Sequence, residues 1–127
     1  MTNYGMTITC TFLRINNKLL YNGTIKYFNK PIGIYNFSIN KKSMTLNNIE
    51  IDEEYRRKGY GSYVLKEIEN FSKQKYNVNK TNLLAWDING SSGNFFKKNA
   101  YINVTKKEEK YDDYVYIYDL IQFEKMI

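Results

Sequence analysis

The sequence contains no histidine and a single cysteine, Cys10. A lone cysteine cannot form an intrachain disulfide, and without histidine the common zinc and haem ligand sets are missing, so no metal site is expected. The same absence excludes Ser/His/Asp and Cys/His nucleophilic sites. Hydrophobic runs are also short, and none approaches the roughly 18 residues that a membrane-spanning helix needs.

A length of 127 residues suits one compact domain, which we predict to span 1–127. With 43% hydrophobic and 17% aromatic residues, the chain can build a real core. Its 19 basic and 13 acidic residues give a net charge of +6, which favours phosphates, anionic cofactors or acidic partners; a solvated lysine-rich surface is the plain alternative. The start of the chain lacks the pattern of a secretory signal, so we expect a cytoplasmic protein with no membrane partner.

The first half of the sequence has the period of two that is typical of half-buried strands. Alternating apolar residues predict a first strand over 6–15, in which Cys10 is expected to be buried packing. Turns at Asn16-Asn17 and at Asn29-Lys30-Pro31 separate the first three strands, and an antiparallel meander is the simplest topology. In the fourth strand, over about 44–52, the apolar parity changes, which predicts a β-bulge near Asn47-Asn48.

The apolar period then changes to that of a helix. Five residues fall at i, i+3, i+4, i+7 and i+10, namely Gly61, Val64, Leu65, Ile68 and Phe71. They predict an amphipathic helix over about 59–75. A fifth strand over 81–87, a short helix ending near residue 99, and strands over 101–105 and 114–120 complete the chain. The predicted fold class is therefore α+β, with a mixed, mostly antiparallel twisted sheet of about seven strands and two main helices.

A basic segment with two glycines separates the fourth strand from the long helix. It reads Arg56-Arg57-Lys58-Gly59-Tyr60-Gly61-Ser62. A helix N-terminus carries unpaired NH groups and a partial positive charge, and glycines there let a phosphate approach the chain closely. A glycine turn with a basic cap is the plain alternative, because such a pattern arises by chance in roughly one chain of this length in ten.

Two segments, in the same order along the chain, resemble the motifs of the GNAT acetyltransferase superfamily. Residues 46–65, from Leu-Asn-Asn-Ile-Glu-Ile to Gly-Tyr-Gly-Ser-Tyr-Val-Leu, are similar to its cofactor-binding strand, loop and helix. Residues 89–101, Asn-Gly-Ser-Ser-Gly-Asn-Phe-Phe-Lys-Lys-Asn-Ala-Tyr, resemble its later signature, Asn-x-x-Ala-x-x-Phe-Tyr-x-Lys-x-Gly-Phe. The resemblance covers about 44–120, with a cofactor-binding core at about 44–100. It implies a short GNAT-like acyl-CoA N-acyltransferase fold that lacks the usual N-terminal helices.

The resemblance implies that acetyl-CoA binds between the fourth and fifth strands. Two isoleucines of the fourth strand offer main-chain groups to the pantetheine arm. The backbone NH groups of residues 57–62 hold the pyrophosphate, with Asn89, Ser92 or Lys97 beside the rest of the nucleotide. The residues assigned to the cofactor in this way are Ile49, Ile51, Arg56, Arg57, Lys58, Gly59, Tyr60, Gly61, Ser62, Asn89, Ser92 and Phe96.

The implied reaction is direct attack of a neutral amine on the thioester carbonyl, whose oxyanion is met by a strand-four NH near Glu50 or Ile51. Glu50 is the preferred general base, acting directly or through water, and Asp87 is the second candidate. The superfamily's usual acid, a tyrosine, aligns with Phe96, which has no proton to give. Tyr101 is therefore a candidate acid, with nearby tyrosines or water as alternatives.

The first two strands are joined by Asn16-Asn17, where relatives insert helices that wall the acceptor pocket. An open acceptor side favours a lysine or N-terminus of a protein over a small metabolite. The sequence thus indicates an acetyl-CoA-dependent N-acetyltransferase that acts on a primary amine. A catalytically silent module binding coenzyme A or a protein, and a basic nucleic-acid-binding domain, are the alternatives; a homodimer stays open.

Overall fold

The computed structural model of the chain describes residues 5–86, 91–104 and 120–127. In chain order, the elements are β1 Met6–Ile15, β2 Lys18–Tyr27, β3 Lys30–Asn40, β4 Ser43–Ile51, a 3-10 turn Glu53–Tyr55, α1 Tyr60–Tyr76, β5 Lys80–Trp86, α2 Ser91–Lys98, β6 Ile102–Asn103 and β7 Leu120–Met126. The strands form one sheet in the order β1-β2-β3-β4-β5-β7-β6. Among the strands described, only β4 and β5 pair in parallel, so the predicted fold class is confirmed.

Asparagine-containing turns define the first hairpins of the sheet. Asn16 and Asn17 have φ values of 48° and 65°, which a two-residue type I′ turn requires and asparagine tolerates. The second turn lies at Phe28 and Asn29, with φ values of 46° and 69°, and β3 already begins at Lys30. The predicted turn at Asn29-Lys30-Pro31 is therefore displaced by one residue, because Pro31 is compatible with the first positions of a strand.

The bulge predicted in the fourth strand is confirmed at Asn47. Between β3 and β4, Asn36 lies opposite Asn48 but Phe37 lies opposite Leu46, which leaves Asn47 as the extra residue. An extra residue reverses the facing of everything that follows it. The apolar side chains of β4 on both sides of the bulge therefore reach the same face of the sheet.

The core lies between that face and α1. Val64, Leu65 and Ile68 of α1 are buried, as the helical spacing predicted. The ring of Phe71 makes edge contacts with Tyr21 of β2 and Phe37 of β3, which extends the core across these two strands. The predicted bounds of α1 are right to within one residue at each end.

The burial predicted for β1 is wrong over most of its length. Met6 is buried, but Cys10, Phe12 and the residues after them are exposed. The physical reason is position: β1 lies at the edge of the sheet. The alternation of apolar residues predicts which face of the sheet their side chains share. It does not predict how much of that face α1 covers.

The C-terminal half differs from its prediction in one strand. Leu120–Met126 forms β7, which pairs with β5 along its whole length. Of the strand predicted over 114–120, only Leu120 is among the described residues, and 114–119 lie outside them. Among the helices described, none has the length and apolarity to cross a membrane.

Candidate functional site

Strands β4 and β5 separate halfway along their length. Their parallel pairing runs from Ser43 opposite Lys80 to Leu46 opposite Leu83 and stops at the bulge. Beyond it lies a cleft of about 940 Å³. Its lining residues are Leu46, Asn47, Asn48, Ile49, Ile51, Tyr55, Arg56, Arg57, Gly59, Tyr60, Gly61, Ser62, Leu83, Leu84, Phe95, Phe96 and Lys98.

A tight bend joins β4 to α1 at the floor of this cleft. The Asp52 NH donates to the Ile32 carbonyl at 2.7 Å, and the Arg56 Nε donates to the Ile51 carbonyl at 2.7 Å. Arg57 and Gly59 have φ values of 63° and 82°, in the left-handed region. The Arg56 side chain therefore holds the end of β4, while the backbone reverses to start the helix.

The N-terminus of α1 opens into the cleft without a side-chain cap. The first backbone bond of the helix runs from the Tyr63 NH to the Gly59 carbonyl at 3.0 Å. The NH groups of Tyr60, Gly61 and Ser62 precede it and have no acceptor within the helix. Because all three residues line the cleft, these donors and the positive end of the helix dipole would favour an anion at this place.

Gly61, in the first turn of α1, lies against the Phe95 ring of α2. A Cβ at this position would lie 3.2 Å from Phe95 Cε2 and 3.4 Å from Phe95 Cζ. By contrast, a Cβ at Gly59 would meet nothing within 4 Å. Asn99 Nδ2 also donates to Ser62 Oγ at 3.1 Å. A side chain at residue 61 would therefore require the Phe95 ring to shift by a few tenths of an ångström, whereas one at residue 59 is disfavoured by its positive φ.

The cleft combines basic and apolar walls. Arg56, Arg57 and Lys98 give it positive charge, whereas Lys58 is absent from the lining and places its Nζ 5.7 Å from the Tyr55 ring centroid. The apolar walls come from Ile49 and Ile51 of β4, Leu83 and Leu84 of β5, and Phe95 and Phe96 of α2. A cleft with apolar walls, beside unpaired NH groups at the start of a helix, suits an apolar ligand chain attached to phosphates.

Nine of the residues predicted for the cofactor come together in the lining: Ile49, Ile51, Arg56, Arg57, Gly59, Tyr60, Gly61, Ser62 and Phe96. Lys58 does not line the cleft. Ser92 belongs to α2, and nothing is described of its side chain. Asp87 and Asn89 lie outside the described residues. Glu50 is exposed on the face of the sheet opposite Ile51, as its parity predicted.

Sequence reasoning missed Tyr55, Leu83, Leu84, Phe95 and Lys98, together with the bulge residues as cleft lining. The predicted bulge could have indicated that residues of β5 line the cleft. Because β4 leaves its neighbour there, the next residues of β5 must border the gap, and a fifth strand was already predicted over 81–87.

Tyr101 lies in a buried polar network instead of the cleft lining. Its hydroxyl donates to Glu69 Oε2 at 2.8 Å and accepts from Thr81 Oγ1 at 2.8 Å. Lys125 Nζ completes the network at 2.9 Å from Glu69 Oε1. The Tyr101 proton is thus committed to Glu69, which argues against the acid role predicted for this residue.

The network makes a prediction about alkaline stability. Burial is the main cause that raises the pKa of Tyr101; the hydrogen bond from Thr81 opposes it, and the charge of Glu69 adds to it. The folded protein therefore keeps this phenol neutral at a pH where the unfolded chain ionises it. Its stabilising contribution is present below about pH 10 and declines above it, by about 1.4 kcal/mol per pH unit. Urea unfolding of wild type between pH 8 and 11 should show this loss, and Tyr101→Phe should lose less stability over that range.

The comparison between the two proteins removes the contribution of Tyr35. Burial also raises its pKa, but it is present in both proteins, so its contribution cancels in the difference. Equal loss of stability in wild type and Tyr101→Phe between pH 10 and 11 would contradict the network described for Tyr101.

Comparison with known proteins matches residues 4–101 to the sequence model of the family described as "Acetyltransferase (GNAT) family". No curated protein sequence matches significantly. The solved structures that are similar include the PaiA N-acetyltransferase of Thermoplasma acidophilum in complex with coenzyme A, at 20% identity and a TM-score of 0.69. The match covers 85% of this chain and 61% of that enzyme, so the chain spans less than two thirds of its length.

Two further structures extend the comparison. A GNAT family acetyltransferase from Elizabethkingia anophelis with acetyl-CoA bound is 16% identical, with a TM-score of 0.68, and the match covers 97% of this chain and 99% of that one. The ribosomal-protein-S18-alanine N-acetyltransferase of Escherichia coli is 18% identical, with a TM-score of 0.71 and coverage of 90% and 72%. At such identities the likeness establishes the fold.

Proposed function

The chain belongs to the GNAT acetyltransferase family, and from this premise we propose that it transfers an acetyl group from acetyl-CoA to a primary amine. The observation that carries the proposal is the cleft between β4 and β5, with the uncapped start of α1 at its floor. A thioester carrier needs both parts: an apolar slot for its arm and an anion site for its diphosphate.

In this proposal the cofactor lies along the exposed edge of β4. Main-chain groups of Ile49 and Ile51 bind the pantetheine arm, since β5 no longer pairs with β4 at these residues. The NH groups of Tyr60, Gly61 and Ser62 bind the pyrophosphate, and Arg57 adds charge beside them. Binding in this place carries the thioester to the bulge, where the cleft reaches Asn48 and Leu84.

The chemical step forms a C–N bond and breaks the thioester C–S bond. A neutral amine attacks the carbonyl, and a β4 NH near Glu50 or Ile51 stabilises the oxyanion. Glu50 takes the amine proton, directly or through a water molecule. Coenzyme A leaves as a thiolate and takes a proton from water, because Phe96 has no proton and that of Tyr101 is bonded to Glu69. Holding the two reactants together supplies much of the rate.

We propose a protein as the acceptor, through a lysine side chain or an N-terminus. The support is the two-residue turn between β1 and β2, which leaves no helix there to enclose a small metabolite. Glu50 stands exposed on the face of the sheet opposite the buried Ile51, where a bulky acceptor can reach it. A cytoplasmic location, where acetyl-CoA and such acceptors meet, belongs to the same proposal.

A catalytically silent module that only binds coenzyme A is the second candidate. The observation that favours it is Phe96, a buried side chain without a proton, in the cleft lining. The two candidates share the cofactor site and differ only in turnover.

Incubation with radiolabelled acetyl-CoA, a panel of amines and cell lysate tests the proposal, with mass spectrometry to locate acetylated residues. Labelled product from any acceptor, absent with the Gly61→Val variant, is the expected result. Saturable binding of acetyl-CoA without any labelled product would favour the silent module. Absence of binding would contradict both candidates.

A further inference from the structure

Strand β1 is a long, unprotected edge. Within the described ranges its only strand neighbour is β2. Phe12, Leu13 and Ile15 are 56%, 61% and 48% exposed. Natural proteins protect such edges with proline, bulges or several charges. β1 has no proline, pairs with β2 in unbroken register and carries a single charge, on Arg14.

The hairpin fixes which backbone groups face outward at this edge. The two-residue turn at Asn16 and Asn17 closes with Ile15 opposite Lys18, and the closing pair of such a turn is hydrogen-bonded. Bonded and non-bonded pairs alternate along an antiparallel ladder. The odd-numbered residues of β1 therefore bond to β2, and the even-numbered ones, from Met6 to Arg14, point their NH and carbonyl groups away from the sheet.

We propose that this edge pairs with β1 of a second copy of the chain, antiparallel, around a twofold axis at Cys10. The even-numbered residues of both copies then form the hydrogen-bonded pairs. Cys10 lies opposite its own symmetry mate, and Phe12 lies opposite the partner subunit's Ile8. On the other face of the sheet, Thr9 lies opposite the partner subunit's Thr11.

A second copy fits because the pattern matches itself, as a twofold interface requires. On the α1 side of the sheet, the even-numbered Ile8, Cys10 and Phe12 lie opposite apolar residues of the second copy. On the other side, threonine lies opposite threonine, which is a favourable cross-strand pair. The two Arg14 side chains lie at opposite ends of the ladder, about 27 Å apart along the strands. That separation exceeds the screening length at physiological salt.

The expected dimer is concentration-dependent, because one pair of strands buries less surface than the 1,200–2,000 Å² typical of stable interfaces. It also lies away from the cleft. β2 and β3 separate β1 from β4, which at 4.8 Å per strand is about 14 Å. A change that disrupts pairing at β1 should therefore leave acetyl-CoA binding intact, so this inference and the proposed function fail independently.

Sedimentation velocity from 5 to about 300 µM tests the inference. Wild type should shift from monomer to dimer mass with increasing concentration, and Phe12→Lys, which adds a charge to the edge, should remain monomeric. Phe28→Lys is the matched control, since Phe28 is 71% exposed but lies in the turn after β2; it should dimerise like wild type. A wild type that is monomeric throughout, or a Phe12→Lys variant that dimerises normally, overturns the proposal.

Cysteine crosslinking tests the register. Hydrogen-bonded antiparallel pairs have Cα atoms about 5.5 Å apart, within the range of a disulfide. Mild copper-phenanthroline oxidation should therefore link two copies rapidly through Cys10. Moving the thiol with Cys10→Ser and Leu13→Cys places the two sulfur-bearing residues about 20 Å apart along the ladder and should suppress linkage. Equal linkage by both proteins overturns the register.

Discussion

Replacing Gly61 with valine is expected to abolish the stabilisation of the protein by acetyl-CoA while leaving the fold intact. A Cβ added at residue 61 would lie 3.2 Å from the Phe95 ring, and we expect the γ-carbons of valine to extend into the space where the diphosphate approaches the NH groups of α1. For wild type, acetyl-CoA at a hundred times its Kd adds about 2.7 kcal/mol to the free energy of unfolding. Thermal melting should show this as roughly a 10 °C rise in the midpoint.

The matched control for Gly61→Val is Lys66→Val, which introduces the same side chain on the exposed side of the same helix. It should retain the full rise in melting midpoint, because it changes helix propensity without touching the cleft. Circular dichroism of both variants without ligand checks that the fold persists. An unchanged rise for Gly61→Val would contradict the assignment of this bend as the diphosphate site.

Changing Glu50 to glutamine is expected to lower kcat by about 100-fold, the lower range for loss of a general base. The KM for acetyl-CoA should be nearly unchanged, because Glu50 does not line the cleft. Glutamine keeps the size and polarity of the side chain but cannot accept the amine proton. None of the three ion pairs within the described part of the chain involves Glu50, so this substitution breaks no such pair.

Glu53→Gln provides the comparison for Glu50→Gln. Glu53 is also exposed, but it lies in the 3-10 turn after β4 and has no proposed role in the reaction. Steady-state kinetics with an identified acceptor should give wild-type kcat for Glu53→Gln. If both variants keep wild-type kcat, Glu50 is not the base, and Asp87 or a water molecule takes the proton instead.

Local pattern was enough to predict the first five strands of the sheet. The change of parity between Leu46 and Ile49 predicted the bulge at Asn47, because an extra residue is the simplest way for both apolar sets to share one face. The bend over 56–62 was likewise visible, since its glycines and basic residues are contiguous. Features determined by neighbours in sequence were predictable.

Features that depend on contacts between residues far apart in the sequence could not be predicted. Leu84 and Phe95 border the cleft only because β5 and α2 meet β4 and α1 in space. Tyr101 is the last residue of the second motif, yet its hydroxyl donates to Glu69 of α1, a contact that no spacing reveals. The exposure of Cys10 depends on β1 being the last strand of the sheet, which alternation alone cannot indicate.

A crystal structure with bound acetyl-CoA tests the central claim most directly. The account predicts the diphosphate within hydrogen-bond distance of the Tyr60, Gly61 and Ser62 NH groups and the pantetheine arm between β4 and β5 beyond the bulge. Electron density for the cofactor at any other place, or an unfilled cleft at saturating acetyl-CoA, would contradict it.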